Sequence, residues 1–471
     1  MLRDVTTTIT DGGLGVGAAS GEGIHVKIGV SPIVSTAPIL ILGNMSAVKI
    51  KTLLGLSPLA DAVMDSVEQG SGKVYAIPVT PSVVGTVGEV VKTGTGTGTT
   101  VVSGSPNNAY DVIVKFTEAG GFNAAVLRYS IDNGYSYSNE ITLPLDGVLV
   151  IANTGLTFTF AEAEITPLNS FQVDDIYQVT TEAPQMANQD VLDALATLRN
   201  SSLSFEFIHI VGESVKALWL AVSSELTTLR DTYKKSLFVV MEAPQIEVAE
   251  TVDDYSARLI EERQGLNDYD VQIVAARSRY MKMDGRTVDI NNAGIVCGLY
   301  AKSAIQQSIG ETKSFSIPET KMLQLLPVGI EDYIGLLDEE KYLTFRQYEG
   351  LSGFYVTNAK MMAPEGSDYR YAEDVRIKNK IIRETRKEAL VQLQSEVDMS
   401  NVQGSLETIA KFIETPLDEM VRSKEISAAR IMVPEDQDIL VTETLQVIIR
   451  YVPVGRIREI QIDIGMENPF R

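Results

Sequence analysis

The sequence predicts a multidomain protein of α/β and α+β class: a mostly parallel sheet flanked by helices, with an inserted all-β domain and terminal strand-exchange arms. Three observations predict it. Between residues 185 and 275, short apolar β-prone runs alternate with amphipathic helical stretches, the pattern of right-handed crossovers in a parallel sheet. Residues 82–184 lose all helical periodicity and carry turn dipeptides at close spacing, as all-β domains do. Near the end of the chain, Ile460, Ile462 and Ile464 alternate strictly with Gln461 and Asp463, the period of a half-buried strand. Such a strand either closes its own sheet or pairs with a neighbour.

Residues 1–23 read as an arm: a short β-prone run, Val5 to Thr10, precedes the glycine-rich "DGGLGVGAASGEG", which has too little apolar surface to pack alone. Residues 24–81 open the α/β core. There "ILIL", Ile39 to Leu42, has the continuous apolar character of a buried parallel strand, Pro58 to Gln69 reads as a helix, and "KVYAIPV" as a strand. Residues 82–184 are acidic, with Lys92, Lys115 and Arg128 their only basic side chains, and are expected to project outward as a domain inserted in a loop. The core resumes over 185–349 with strands at "LSFEFIHIVG", "SLFVVMEAP" and "YDVQIVAAR"; one helix opens at Thr251 with Asp254 three residues later. Residues 350–454 change to α+β texture: a long charged helix, a second helix near Ser405 to Thr415, and a strand centred on "LQVIIRYV". Residues 455–471 form the closing strand arm, hinged at Pro453 and Gly455.

Composition excludes several classes. The 471 residues carry 40 Lys plus Arg against 62 Asp plus Glu, a net charge of −22, so nucleic acid and anionic membrane surfaces are disfavoured partners. The single cysteine, Cys297, fits a reducing compartment and reads as a small buried side chain. No apolar run is long enough to span a membrane, and the N-terminal residues lack the pattern of a signal peptide, so assembly in a cytoplasm is expected.

No catalytic, metal or cofactor residue is predicted. "HIVGESVKA" has the outline of a nucleophile elbow, but Lys216 occupies the place of its second glycine, and His209 precedes Ser214 against that fold's order. His209 is therefore expected to be a satisfied structural histidine. With His25 the only other histidine, no usual zinc set can form. "QGSGKVY" lacks the first glycine and the Ser or Thr of a phosphate loop, and Ala18 breaks G-x-G-x-x-G in the early glycines. Paired acids such as Asp253 with Asp254 sit at helix starts, where solvation or dipole complementarity accounts for them. Ser130, Asp132, Gly134 and Ser136 resemble an Asp-box hairpin, although the Asp-Asn-Gly turn alone explains them. Glycan binding there is the lesser reading.

"LTFRQYEGLSGFYVTNAKMMAPEGSDYRYAEDVRIKNKIIRETR", residues 343–386, resembles the region of contractile phage tail sheath proteins in which a strand pair leads through Gly-Ser-Asp-Tyr to a long helix. The ending "VPVGRIREIQIDIGM" is similar to the sheath C-terminal arm. The resemblance implies a non-enzymatic protomer that assembles as stacked hexameric rings around a tail tube and contracts to drive the tube through an envelope. It implies itself, the tube protein, and baseplate and tail terminator proteins as partners, in a virion or phage-tail-like particle. It also implies intersubunit strand exchange, carried by Val5 and Ile9 at one end and Ile460, Ile462 and Ile464 at the other. An α/β enzyme with a carbohydrate-binding insertion, or a tube or baseplate protein, are the alternatives.

Arg376, Lys378, Lys380, Arg383, Arg386 and Lys387 concentrate positive charge on one helix of this acidic chain. Two readings are open: a solvated face paired with Glu384 and Glu388, or a face holding an acidic tube.

Overall fold

The structure is a computed structural model describing residues 22–435 and 437–467. It divides into two compact units, one ending at Asn379 and the other beginning at Lys380.

The first unit opens with β1 (His25–Val30), β2 (Ile39–Leu42), α1 (Ala47–Leu54), α2 (Pro58–Gln69) and β3 (Lys73–Val79). Helix α2 starts where the Ser57 hydroxyl accepts a hydrogen bond from the Ala60 amide and Pro58 takes the first helical position. A run of strands follows: β4 (Thr86–Val87), β5 (Val91–Thr93), β6 (Thr99–Gly104), β7 (Asp111–Glu118), β8 (Val126–Ser130), β9 (Ile141–Thr142), β10 (Val148–Ile151), β11 (Leu156–Ala161) and β12 (Ile176–Glu182). They form two sheets, β4-β12-β7-β8-β9 with β5 also on β12, and β10-β11-β6. Alternate residues of β7 and β11 enter a core of their own, in which Phe116 stacks on Phe171 at 4.6 Å and meets Phe160 and Tyr177 edge-on.

Helices and strands then alternate: α3 (Asn188–Thr197), β13 (Phe207–Glu213), α4 (Lys216–Asp231), β14 (Phe238–Glu242), α5 (Val252–Arg263) and β15 (Val271–Val274). The main sheet has the order β15-β14-β13-β1-β3-β2 and is parallel except for β2. The connections from β1 and β13 leave on opposite sides, so the carboxyl ends of these two neighbours mark the switch point of the sheet. A smaller sheet of β16 (Arg277–Met281), β17 (Thr287–Asn291) and β18 (Met322–Leu326) follows, with the buried helix α6 (Ala293–Lys302) and the short α7 (Ile334–Glu339). The outer edge of β15 is closed by main-chain bonds: Leu343 N donates to Ile273 O at 3.0 Å and Met362 N to Val271 O at 2.8 Å.

Two expectations need correction. Ile39–Leu42 is not a buried parallel strand; β2 is the antiparallel edge, with Ile41 buried and Leu40 and Leu42 at 41% and 40% exposure. Four apolar residues in a row signal burial on both faces, but here only one face has a neighbour. Nor does the change of texture at residue 350 mark a unit boundary. Strands β19 (Phe345–Tyr348) and β20 (Leu351–Val356) and the start of α8 (Ala372–Val391) place Phe354, Val356, Ala372 and Val375 in the main core.

In the second unit, α9 (Val402–Arg422) is capped by Asn401, whose side chain accepts from the Gly404 amide. Its buried Leu406, Ala410, Ile413, Leu417 and Met420 recur every three or four residues, and the helix packs on the hairpin of β21 (Ile426–Met432) and β22 (Ile448–Pro453).

Candidate assembly surfaces

After β22 the chain runs from residue 454 to 467 with no helix or strand. Ile457, Ile460, Ile462 and Ile464 are 77 to 88% exposed. Closure of its own sheet by this segment, one of the two sequence readings, is therefore excluded. Four side chains worth roughly 1.5 to 3 kcal/mol each on burial stay in water. Beside them, β21 and β22 pair only with each other among the described residues, so each keeps an open edge of amides and carbonyls. Val5 and Ile9 lie outside the described residues.

The six cations of α8 do not form one exposed stripe. Arg376 is 1% exposed: its guanidinium forks onto Glu206 and reaches Ser303 Oγ at 2.8 Å and Tyr300 O at 3.0 Å. Lys378 donates to Asp270 at 2.7 Å with its ammonium 4.1 Å from the Tyr269 ring centroid. These two hold α8 onto the main sheet and offer nothing to a partner. Lys380 pairs with Glu425. The Arg383 guanidinium is buried and makes no hydrogen bond among the described residues. Only Arg386 and Lys387 are exposed, and Lys387 bonds Glu384 at 2.9 Å.

His209 sits fully buried in β13, its Nδ1 accepting from Lys27 Nζ at 2.6 Å and its Nε2 donating to Glu242 at 3.0 Å. Burial, with Lys27 beside it, holds the imidazole neutral well below its usual range. Ser214 Oγ is engaged elsewhere, donating to Glu242 O and accepting from Trp219 Nε1 at 2.8 Å. Neither ring nitrogen nor the hydroxyl is left for a substrate. Cys297 is buried with its thiol pushed up to about 11 by desolvation. The Asp-box side chains turn inward: Asp132 accepts from Ser130 Oγ, Ser136 N and Ser136 Oγ at 2.7 to 2.9 Å and is 1% exposed.

A cleft of about 600 Å³ lies at the switch point, between the ends of β1, β13 and β14 and the β-rich segment. Sequence reasoning missed it, because its walls come from stretches scattered between Val30 and Gly294. Its cations are all paired: Lys282 with Asp65, Arg286 with Asp61 and Arg277 with Glu213. Desolvation pushes Asp65 up to about 6 in spite of that partner. Asn108 also bonds Asp61 at 2.8 Å, so the contact between the β-rich body and the main sheet here is polar.

Known proteins share this architecture. The PVC sheath complex of an extracellular contractile injection system, in its contracted state, superposes with a TM-score of 0.55 at 12% identity, over 100% of this chain and 99% of that one. A chain of the anti-feeding prophage baseplate in its contracted state gives 0.53 at 11% identity, over 98% and 97%. A sheath tail protein from Desulfitobacterium hafniense gives 0.48 at 12% identity, over 96% and 100%. No curated protein matches the chain by sequence. The N-terminal domain model of DUF2586 matches residues 2–360 and the C-terminal domain model residues 368–471. Together these two matches cover nearly the whole sequence, and the chain belongs to the DUF2586 family.

Proposed function

We propose that this chain is the protomer of a contractile sheath, a structural protein that assembles with its own copies around a tube and shortens to drive the tube through an envelope. The observation that carries this reading is the fold shared from end to end with a sheath of an extracellular contractile injection system. In this reading the exposed Ile460, Ile462 and Ile464 are donated to a neighbouring copy. Strand addition gives such a contact a row of main-chain hydrogen bonds, with alternate side chains entering pockets. Val5 and Ile9 supply the matching strand from the other arm, and the body of residues 82–184 projects outward. Arg386 and Lys387 are the cations of α8 left to face a tube. The partners are further copies in hexameric rings, a tube protein, and baseplate and terminator proteins, within a phage tail or tail-like particle.

Negative-stain microscopy of the purified chain tests this: rings or striated tubes are expected. Deleting residues 455–471 is expected to leave a soluble chain that unfolds cooperatively but forms no tubes. A wild-type chain that stays monomeric at every concentration would overturn the reading, and normal tubes from the truncated chain would remove the role of the ending.

A further inference from the structure

Between Lys27 and Lys49 the sequence has no charged residue, although 22% of the chain is charged. In the structure this run is not hidden. Ile33, Val34, Leu40, Leu42 and Val48 are exposed, Val34 and Val48 at 81% and 75%. The run contains β2, whose outer edge has no partner among the described residues, whereas the opposite edge of the sheet is closed at β15. Leu40 and Leu42 point to the face opposite Ile41; across the register they lie beside Tyr75 and Lys73, whose ammonium sits 5.0 Å from the Tyr75 ring centroid. An open edge strand is normally blunted by charge, proline or a bulge. β2 has none of these within its four residues.

From these observations we infer that the β2 edge and the leucine face beside it form a docking surface for a second copy of this chain. The inference rests on the sheath reading above and names one of its contacts. Lys73, half-buried opposite Leu42 in the register, and Lys49, exposed and the first charged residue after the run, are cationic. Acids outnumber bases by 62 to 40 over the whole chain, so another copy presents a predominantly acidic surface. An apolar centre with a lysine rim fits such a surface, whereas the same patch on the other copy would set lysine against lysine. The contact is therefore heterologous, joining two different surfaces, and contacts of that type repeat into rings or helices.

The test uses the full chain with two double substitutions, Leu40→Glu with Leu42→Glu and Leu40→Lys with Leu42→Lys. Because these side chains are half-exposed, both variants are expected to match the wild type in thermal unfolding. The glutamate pair faces an acidic partner and is expected to abolish tubes in sedimentation and microscopy. The lysine pair is expected to raise the assembly concentration about tenfold, a shift of one decade in the dissociation constant. Should either variant misfold, Leu40→Thr with Leu42→Thr keeps strand propensity and is expected to weaken assembly. Tubes from the folded glutamate pair at the wild-type concentration would overturn the inference while leaving the sheath reading intact. Equal impairment by the glutamate and lysine pairs would overturn the acidic partner surface. Failure of the wild type itself to assemble would overturn both.

Discussion

Lys27 and His209 face each other across the register of β1 and β13, the Lys27 ammonium 2.6 Å from His209 Nδ1 and both side chains fully buried. Removing one member strands the other's polarity in the core. We expect His209→Leu to cost about 2 to 3 kcal/mol, because it takes the hydrogen-bond partner from both Lys27 and Glu242 in a buried site. Lys27→Met with His209→Leu should cost much less than the sum of the single changes, because Glu242 can still reach water at the cleft. Denaturant unfolding of the four chains measures the coupling, and additive losses would show that the pair is not a unit.

His25 stacks on Phe207 with centroids 4.7 Å apart, and its buried Nε2 has no hydrogen-bond partner among the described residues. Desolvation, then the Lys27 charge, holds it neutral well below 6.5. The folded chain therefore refuses a proton that the unfolded chain accepts, and this group's share of stability, present above pH 6.5, is lost as pH falls. His25→Phe should gain about 1 kcal/mol at pH 8 by removing the orphaned nitrogen. At pH 5 its advantage should be larger than at pH 8. An advantage that stays constant between pH 8 and pH 5 would contradict a neutral buried His25.

Arg376 and Lys387 are only eleven positions apart on α8 and should behave oppositely. Arg376→Met takes the guanidinium away from the fully buried Glu206 carboxylate and should cost about 3 to 5 kcal/mol. Arg376→Lys should recover little, since a single ammonium cannot span Glu206, Ser303 and Tyr300 together. Arg386→Glu and Lys387→Glu should leave the unfolding midpoint unchanged. Thermal melts of the four variants distinguish an anchoring cation from a surface one.

Asp132→Ala removes the acceptor for three hydrogen bonds within its turn and for a longer one from the Thr287 amide, all made by a carboxylate that is 1% exposed. A loss of about 2 to 3 kcal/mol is expected, felt first in the hairpin that carries Asp132. Tryptic cleavage at the neighbouring Arg128 should accelerate accordingly. Unchanged cleavage would mean that the backbone holds the turn without the carboxylate.

The alternation of strands and helices from residue 207 to 274 and the all-β texture of the residues after β3 were legible because both follow from local periodicity and turn chemistry. β1 was not, since "HVKIGV" carries His25 and Lys27, and the rings that cover them, Phe207 and His209, lie far along the chain. The "ILIL" run misled for the converse reason: apolar character on both faces does not say that both faces find neighbours within one protomer. The cations of α8 look equivalent in sequence; only Glu206 and Asp270, distant in the chain, separate the buried anchors from the exposed pair. The period of two at Ile460, Ile462 and Ile464 was visible from the start, but the strand it predicts does not form within the chain, because a strand needs a paired edge and the segment has none among the described residues.

The closure of β15 by Leu343 and Met362 bears on how this protein avoids misassembly. A sheet with two free edges can add copies on both sides and grow into a ribbon without limit. Here the main sheet has a free edge only at β2 among the described residues, so pairing of main-sheet edges ends after two molecules. Any longer polymer must run through surfaces outside that sheet. Pairing β2 with β2 therefore builds no fibre, and a polymer that uses this edge must join it to a different surface of the next copy.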